Sequence, residues 1–565
     1  MKLKSQLNTL IKEAFSKAGI DAEPISVSEA TQPQFGDYQF NGAMALAKKL
    51  GKNPREIATG ILDALDTSTL IQKAEIAGPG FINLWLRPEW IASACHTALS
   101  DDRLGISRHE TPLKVVVDYS GPNMAKQMHV GHLRSTIIGD TLSNLLEFLG
   151  DDVIRQNHIG DWGTQFGMLI AYLEETGNEG VAQLCDLEQF YKEAKARFDA
   201  DQAFADKARE YVVKIQSGDH HCLNLWQKFI DASLGHCEDV YGKLCVNLKR
   251  EDVKAESFYN EDLPQVIEDL ITEGLLQESN GAQCVFLEGE EIPVIVQKGD
   301  GGYLYATTDL AALRYRANVL DAKRICYVVD ARQAGHFRQI FSVAKTSRFV
   351  PEDVKLEHVA FGTMMDKSGR PFKTRDGGTV KLIDLLDEAV IRAKGAIKER
   401  ENYSEEEVER LAKIVGIGAV KYADLSINRE SNYIFDWDKM LSFEGNTSLY
   451  MQYAYARIQS IFRKHNGPVE GDIIISDTLE QQLAVMLLRF EDILERAAED
   501  ASPNQITTYL YEMVTLFMRF YEQNPILKEG VDEATKMSRL QLADLTAKTI
   551  KQGLELLGIE VVDRL

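Results

Sequence analysis

From Lys114 onward, short apolar runs alternate with segments whose apolar residues recur every three or four positions. KVVVDYS, DVIRQNHIG, RICYVVD and HVAFGTM read as strands, and the spacing predicts a helix from about Val130 to Gly150. Such alternation implies a parallel sheet. Between about 185 and 295 the pattern is mostly helical and ends in two possible strands, QCVFLEG and IPVIVQK, which reads as an insertion in the sheet domain. After about 385 strand signals largely disappear. LLDEAVIRAKGAIKER, EEVERLAKIVGIGAVKYADL, SLYMQYAYARIQSIFR, LEQQLAVMLLRFEDILERAAE, ITTYLYEMVTLFMRFYEQ and SRLQLADLTAKTIKQGLELLG each predict a helix, and together a helical bundle. The first hundred residues are punctuated differently: QPQFGDYQFN, an Ala-rich helix, a helix start at GKNPREIA, and AGPGFINLWL, where a Gly-Pro-Gly turn precedes a strand. The predicted fold class is therefore α/β, with a small α+β N-terminal domain over 1–110 and a parallel-sheet domain over 111–385. A helical connector over 386–440 and an all-α C-terminal bundle over 441–565 complete the organisation.

Composition supports several domains, since 565 residues exceed what one core usually holds. Hydrophobic residues at 44% and charged residues at 26% are ordinary for a soluble globular chain, and no apolar run approaches the roughly 18 residues of a membrane span. Leu3, Leu7, Leu10, Ile11, Ala14 and Phe15 fall at helical spacing, unlike an export signal. Seven scattered cysteines argue for a reducing compartment, so the expected location is cytoplasmic. His220, His221, Cys222, His236, Cys237 and Cys245 crowd one region, but without CxxC or HxxxH spacing, and no zinc site is expected there. The net charge of -23 argues only weakly against a nucleic-acid partner, because local basic faces survive on an acidic chain.

The candidate chemistry lies in NMAKQMHVGHLR, Asn123 to Arg134, between the strand VVVDYS and the predicted helix. In open parallel sheets ligands bind at the carboxyl ends of strands. A helix start there offers unpaired N–H groups to anions, and Gly131 permits close approach of a ligand. His129 and His132 can donate hydrogen bonds to phosphate oxygens. A lone HxxH is as often capping or packing as chemistry; the preceding strand, with Asn123 and Lys126 upstream, favours a phosphate site.

HVGH at this strand-to-helix turn resembles the HIGH signature of class I aminoacyl-tRNA synthetases. SGPNMAKQMHVGHLRSTIIGD is similar to the arginyl-tRNA synthetase version, and the likeness continues through NHIGDWGTQFG, AESFY, GGYLYATTDLA and FGTMMDKSGRPFKTRDGGTV. QFGDYQFNGAMALAK with AGPGFINLWL resembles that family's N-terminal tRNA-binding domain, and SLYMQYAYARI with the closing helices its anticodon-binding bundle. The resemblance implies a class I Rossmann-like catalytic domain and ATP-dependent activation of L-arginine to arginyl-adenylate, followed by transfer to the 3'-terminal ribose of tRNA-Arg. It implies that His129, His132 and Lys126 meet ATP phosphates, that Gly131 makes room for adenine, and that Lys373 serves as a catalytic lysine in RPFKTRDGGTV, which lacks a literal KMSKS. Glu256 and Asp309 are the expected carboxylates for the guanidinium, with Tyr305 and Gln333 lining the pocket and Asn123 holding the amino or carboxylate end. A fork-shaped, permanently charged substrate bound by paired carboxylates is separable from lysine on geometry, so no editing domain is expected.

For tRNA, Tyr450, Gln452, Tyr453 and Arg457 stand at spacings where exposed aromatics stack on unpaired bases, although tyrosines so spaced are as often packed. Phe35, Tyr38, Gln39 and Asn83 are the N-terminal candidates, with packing an equal explanation of Phe35. Mg2+ is expected as the companion of ATP, bridged through phosphates and water, with no protein metal cage. The chain is expected to act as a monomer without a membrane partner. Two other classes share parts of this pattern: a nucleotidylyltransferase, which needs neither this length nor a helical bundle, and a synthetase-like binding protein, against which the intact His129, His132, Lys126, Glu256 and Asp309 argue.

Overall fold

The computed structural model describes residues 2–23, 26–124, 126–177, 187–372, 380–398 and 403–565. They form two compact units, one of residues 109–441 with 556–559, the other of the remaining N- and C-terminal segments.

The larger unit is built on four parallel strands in the order Lys355–His358, Arg324–Tyr327, Lys114–Asp118, Asp152–Gln156. Val115, Val116 and Val117 are all fully buried, as a central strand covered on both faces requires. The helix Leu133–Leu149 follows, preceded by a 3-10 turn at Val130–His132, and ends at Gly150 in the left-handed conformation. Gly139 lets this helix close onto the strand's exit, because a Cβ there would stand 2.3 Å from the side chain of Tyr119.

One predicted strand shifts. HVAFGTM was expected to be extended, yet the ladder runs over Lys355–His358 and the chain then bends before the short pairing of Met364–Met365 with Tyr433–Ile434. The bend is held where Gly362 lies flush against the backbone of Ser431, 2.6 Å from a would-be Cβ, while its carbonyl accepts from Arg134 at 2.7 Å. The insertion holds helices Leu187–Ala200, Gln202–Gln216 and His220–Leu244, then an antiparallel three-stranded sheet over Leu276–Ser279, Ala282–Val285 and Val294–Gln297. The His/Cys-rich stretch is the long helix of this insertion, with Cys222 and Cys237 buried in its apolar stripe.

In the second unit an antiparallel sheet runs Ser28–Glu29, Tyr38–Phe40, Phe81–Leu86, Ile71–Ala77. The C-terminal helices belong to this same unit, and polar ties join them to the sheet segment: Gln481 donates to the Asp37 carboxylate at 3.0 Å and Arg489 to the Asp37 carbonyl at 3.0 Å. LEQQLAVMLLRFEDILERAAE, predicted as one helix, is two, Thr478–Leu488 and Phe490–Glu499. The break is at Arg489, whose N–H turns back to Met486 while its guanidinium lies over the Tyr38 ring. Among the described residues no helix is long and apolar enough to cross a membrane.

Candidate active site

The exit of the strand Lys114–Asp118 is an unusual turn. Ser120 has φ of 72° and Gly121 of 51°, a conformation costly for a non-glycine residue unless its surroundings impose it. They do: Ser120 N–H donates to Ser135 Oγ at 2.9 Å, and its hydroxyl lies 2.8 Å from that of Tyr241 and 3.1 Å from Thr136 Oγ1. Gly121 N–H donates to Asn157 Oδ1 at 3.0 Å, and Met124 N–H to the Gly160 carbonyl at 3.0 Å, so the SGPN and NHIG stretches are laced together. Asn123 sits opposite Gly160, where a Cβ would meet its side-chain oxygen at 2.5 Å.

The two histidines have fixed tautomers. Gly131 N–H donates to His129 Nδ1 at 3.0 Å, and His129 N–H to His132 Nδ1 at 3.1 Å. Burial holds both below the usual imidazole range, His129 with help from Lys126 and His132, pushed down to about 3, with help from His129. Both rings are therefore neutral with the proton on Nε2, a donor ready for an anionic oxygen. Their centroids lie 4.0 Å apart. Val130 N–H donates to the Val380 carbonyl and Leu382 N–H to the Met128 carbonyl, each at 3.0 Å, so the residues following the segment 373–379 are zipped to the histidine turn.

A cavity of about 850 Å³ opens at this sheet edge. Asn123, His129, Gly131, His132, Glu256, Tyr305, Asp309 and Gln333 all line it. Lys126 does not; it is exposed, with Nζ 4.8 Å from the Tyr191 ring, and contributes positive potential to His129. Lys373, with Arg375, Gly377 and Gly378, lies outside the described residues.

One part of the cavity is acidic. Burial, reinforced by Asp161 and Asp309, pushes the Glu256 carboxyl up to about 7. Asp161 anchors the turn that carries Glu256, accepting Ser257 N–H at 2.9 Å and its hydroxyl at 2.5 Å. Asp309, on the helix Tyr305–Arg314, accepts from His336 Nε2 at 2.6 Å, and Tyr305 meets His336 edge-on at 5.4 Å. Beneath, Arg316 is fully buried and paired with Asp118 at 2.9 Å, so that Asp118 is already neutralised.

Sequence reasoning missed Asp118, Arg134, Asp161, His158 and His336. Arg134 is 2% exposed and joins three segments, donating to Asp424 at 3.1 Å, Gly362 at 2.7 Å and Ser431 at 3.0 Å. His158, half-buried, also lines the cavity, and desolvation lowers its pKa. His336 carried a readable signal: it follows Gln333 by three residues at a helix start.

The candidates for tRNA contact divide. Tyr450, Tyr453, Arg457, Phe35 and Gln39 are half-buried. Gln452 is fully buried and donates to the Glu560 carbonyl at 2.8 Å, and Asn83, 4% exposed, accepts from Gln39 at 2.6 Å. Tyr38 is 1% exposed. Gln452 and Tyr38 thus have their polar groups turned to the interior of the unit, whereas Asn83 shares a sheet face with Gln39, its partner across the strands.

Comparison with known proteins gives the same reading along the whole chain. Residues 94–437 match the family model for tRNA synthetases class I (R), catalytic domain; 451–565 match the DALR anticodon binding domain; and 5–86 match the arginyl tRNA synthetase N terminal domain. An arginine--tRNA ligase of Alteromonas mediterranea is 52% identical and one of Chromobacterium violaceum 53% identical, each alignment covering 100% of both chains. The arginyl-tRNA synthetase structure from Plasmodium falciparum superposes with a TM-score of 0.88 at 32% identity, covering 100% of this chain and 99% of that one. The Thermus thermophilus structure, at 23% identity, shares the fold with a TM-score of 0.84, each chain covered in full. With its full length matched in this way, the chain belongs to the arginyl-tRNA synthetase family.

Proposed function

We propose that the cavity is where this class I ligase activates L-arginine with ATP before passing it to tRNA-Arg. The arginine carboxylate attacks the α-phosphorus, the α–β bridging bond breaks, and pyrophosphate leaves. The terminal ribose hydroxyl then takes the arginyl group and AMP departs. In this reading His129 and His132 donate from Nε2 to phosphate oxygens as charge shifts onto the leaving group, preorganised donors being the main resource for such a displacement. Lys126 and Lys373 add positive charge, Gly131 admits the adenine ring, and Asn123 positions the amino-acid end. Glu256 and Asp309 take the guanidinium, with Tyr305 and Gln333 beside it.

The observation that carries this reading is the half-buried Glu256 carboxyl, raised to about 7 by desolvation and by its neighbours Asp161 and Asp309. A cation bound there relieves that repulsion, and a planar fork satisfies two carboxylates at once. Tyr450, Tyr453, Arg457, Phe35 and Gln39 are proposed to meet tRNA from the other unit, through stacking and backbone contacts. Mg2+ is proposed to accompany ATP. A cytoplasmic monomer, divided at about 110, 385 and 440, completes the proposal.

Arginine-dependent exchange of pyrophosphate into ATP, run with and without tRNA-Arg, tests it. Asp309→Ala should raise the arginine KM at least tenfold, or abolish exchange, while ATP binding persists. Unchanged arginine kinetics would remove Asp309 from the site, and exchange driven by another amino acid would overturn the substrate.

A further inference from the structure

Asp309 is 15% exposed on its side chain and stands on the helix Tyr305–Arg314, whereas its partner His336 lies in the first turn of a different helix, Ala334–Thr346. Their 2.6 Å bond is the one hydrogen bond to the Asp309 carboxylate among the described residues. A carboxylate held by one oxygen has a defined plane, and Oδ1 is left for a ligand. His336 itself packs edge-on against Tyr305 at 5.4 Å and against Phe337 at 5.3 Å, and Phe337 is buried, so its ring has a packed side to rest on. The aromatic ring of Phe337 is in turn stacked on His358 at 5.0 Å, which ties the arrangement to the end of a sheet strand.

We infer that His336 is a positioning residue for substrate specificity: its Nε2–H fixes the plane of the Asp309 carboxylate so that Oδ1 meets a guanidinium edge. This rests on the reading that Asp309 binds arginine. A planar fork demands coplanarity with its acceptor, whereas a spherical ammonium does not. Freeing the carboxylate therefore costs affinity for arginine without touching the phosphate-binding end. Neither ring nitrogen of His336 contacts reacting atoms in this scheme, so the chemical step is preserved.

The test uses the full-length protein with tRNA-Arg and pyrophosphate exchange, comparing His336→Ala, His336→Gln, Asp309→Asn and the double variant His336→Ala/Asp309→Asn, with thermal unfolding as a fold control. His336→Ala should raise the arginine KM roughly tenfold, the effect of one lost charge-assisted hydrogen bond, while kcat and the ATP KM change less than about twofold. His336→Gln, whose amide nitrogen reaches the place of Nε2, should recover most of the affinity. In the Asp309→Asn background, replacing His336 should add almost nothing. Equal losses for His336→Gln and His336→Ala, or full additivity in the double variant, would overturn the inference. If His336→Ala does not fold, the Gln variant decides: an arginine KM raised tenfold despite the retained donor counts against it. An Asp309→Asn variant with normal arginine KM overturns the underlying site reading instead.

Discussion

The backbone N–H of Gly131 donates to Nδ1 of His129 across 3.0 Å, so the glycine of the HVGH turn sets the protonation pattern of the histidine two residues before it. The contact is possible because residue 131 has no Cβ: one would lie 2.7 Å from Cε1 and 2.8 Å from Nδ1 of that ring.

Gly131→Ala should therefore expel the His129 ring from its bond and release its tautomer. The expected loss is about 100-fold in the rate of pyrophosphate exchange, in the range for one preorganised donor. Because residue 131 is exposed, the melting temperature should scarcely move. A normal exchange rate would show that the ring is free to donate without this support.

Glu256 gives a pH signature. Its carboxyl ionises at about 7 in the free protein, and a guanidinium binds the ionised form, so arginine binding releases a proton. The arginine KM should rise as pH falls below about 7, by up to roughly tenfold per pH unit, while the ATP KM does not share the profile. Glu256→Gln should flatten it. Folding responds with the opposite sign. A carboxyl whose folded pKa is raised favours the native state most at low pH, and that advantage declines as pH rises from its unfolded value through about 7. Glu256→Gln should thus melt higher than wild type at pH 8 while binding arginine poorly, which thermal scans at two pH values will reveal.

Arg134 and Asp424 are 2% and 0% exposed on their side chains. Burial raises the Asp424 carboxyl pKa, an effect opposed by the Arg134 guanidinium. Asp424→Asn leaves the guanidinium buried without its counter-charge and should cost on the order of 3–5 kcal/mol. Denaturant unfolding reads this directly, and a loss below about 1 kcal/mol would mean that the Gly362 and Ser431 carbonyls alone satisfy the arginine.

At Gly362, a methyl group would enter the backbone of Ser431 at 2.6 Å. Gly362→Ala should destabilise by about 1–3 kcal/mol through backbone displacement and raise the ATP KM, since Gly362, Thr363 and Met364 form a cavity wall. An unaltered ATP KM with reduced stability would separate that wall from nucleotide binding.

On the helix Ser448–His465, Tyr453→Ala should raise the tRNA KM by roughly tenfold, the cost of one stacked base. Gln452→Ala should instead lower stability and leave the tRNA KM of the folded protein unchanged, because the Gln452 amide is spent on Glu560 inside the unit. The reverse pattern would restore Gln452 to the tRNA surface.

Strand and helix types were legible because period is local. Three consecutive valines before Asp118 and the recurring apolar positions after Val130 need no knowledge of partners. The site was legible to the extent that the HVGH turn carries its own donors, and Asn123, Glu256, Tyr305, Asp309 and Gln333, named from motifs far apart, do line one cavity. What escaped depends on distance along the chain. Arg134 and Asp424 are 290 positions apart, and nothing in either local pattern marks them as a buried pair. The face of a helix that meets solvent is likewise a property of its neighbours, which is why Gln452 and Tyr453, adjacent in one word, part company. The ionisation of Glu256 comes from burial beside Asp161 and Asp309, a three-dimensional fact no spacing encodes. Local periodicity and turn chemistry named the elements and the candidate phosphate turn; desolvation and long-range packing chose which polar groups are buried, how they are paired and in what charge state they meet a substrate.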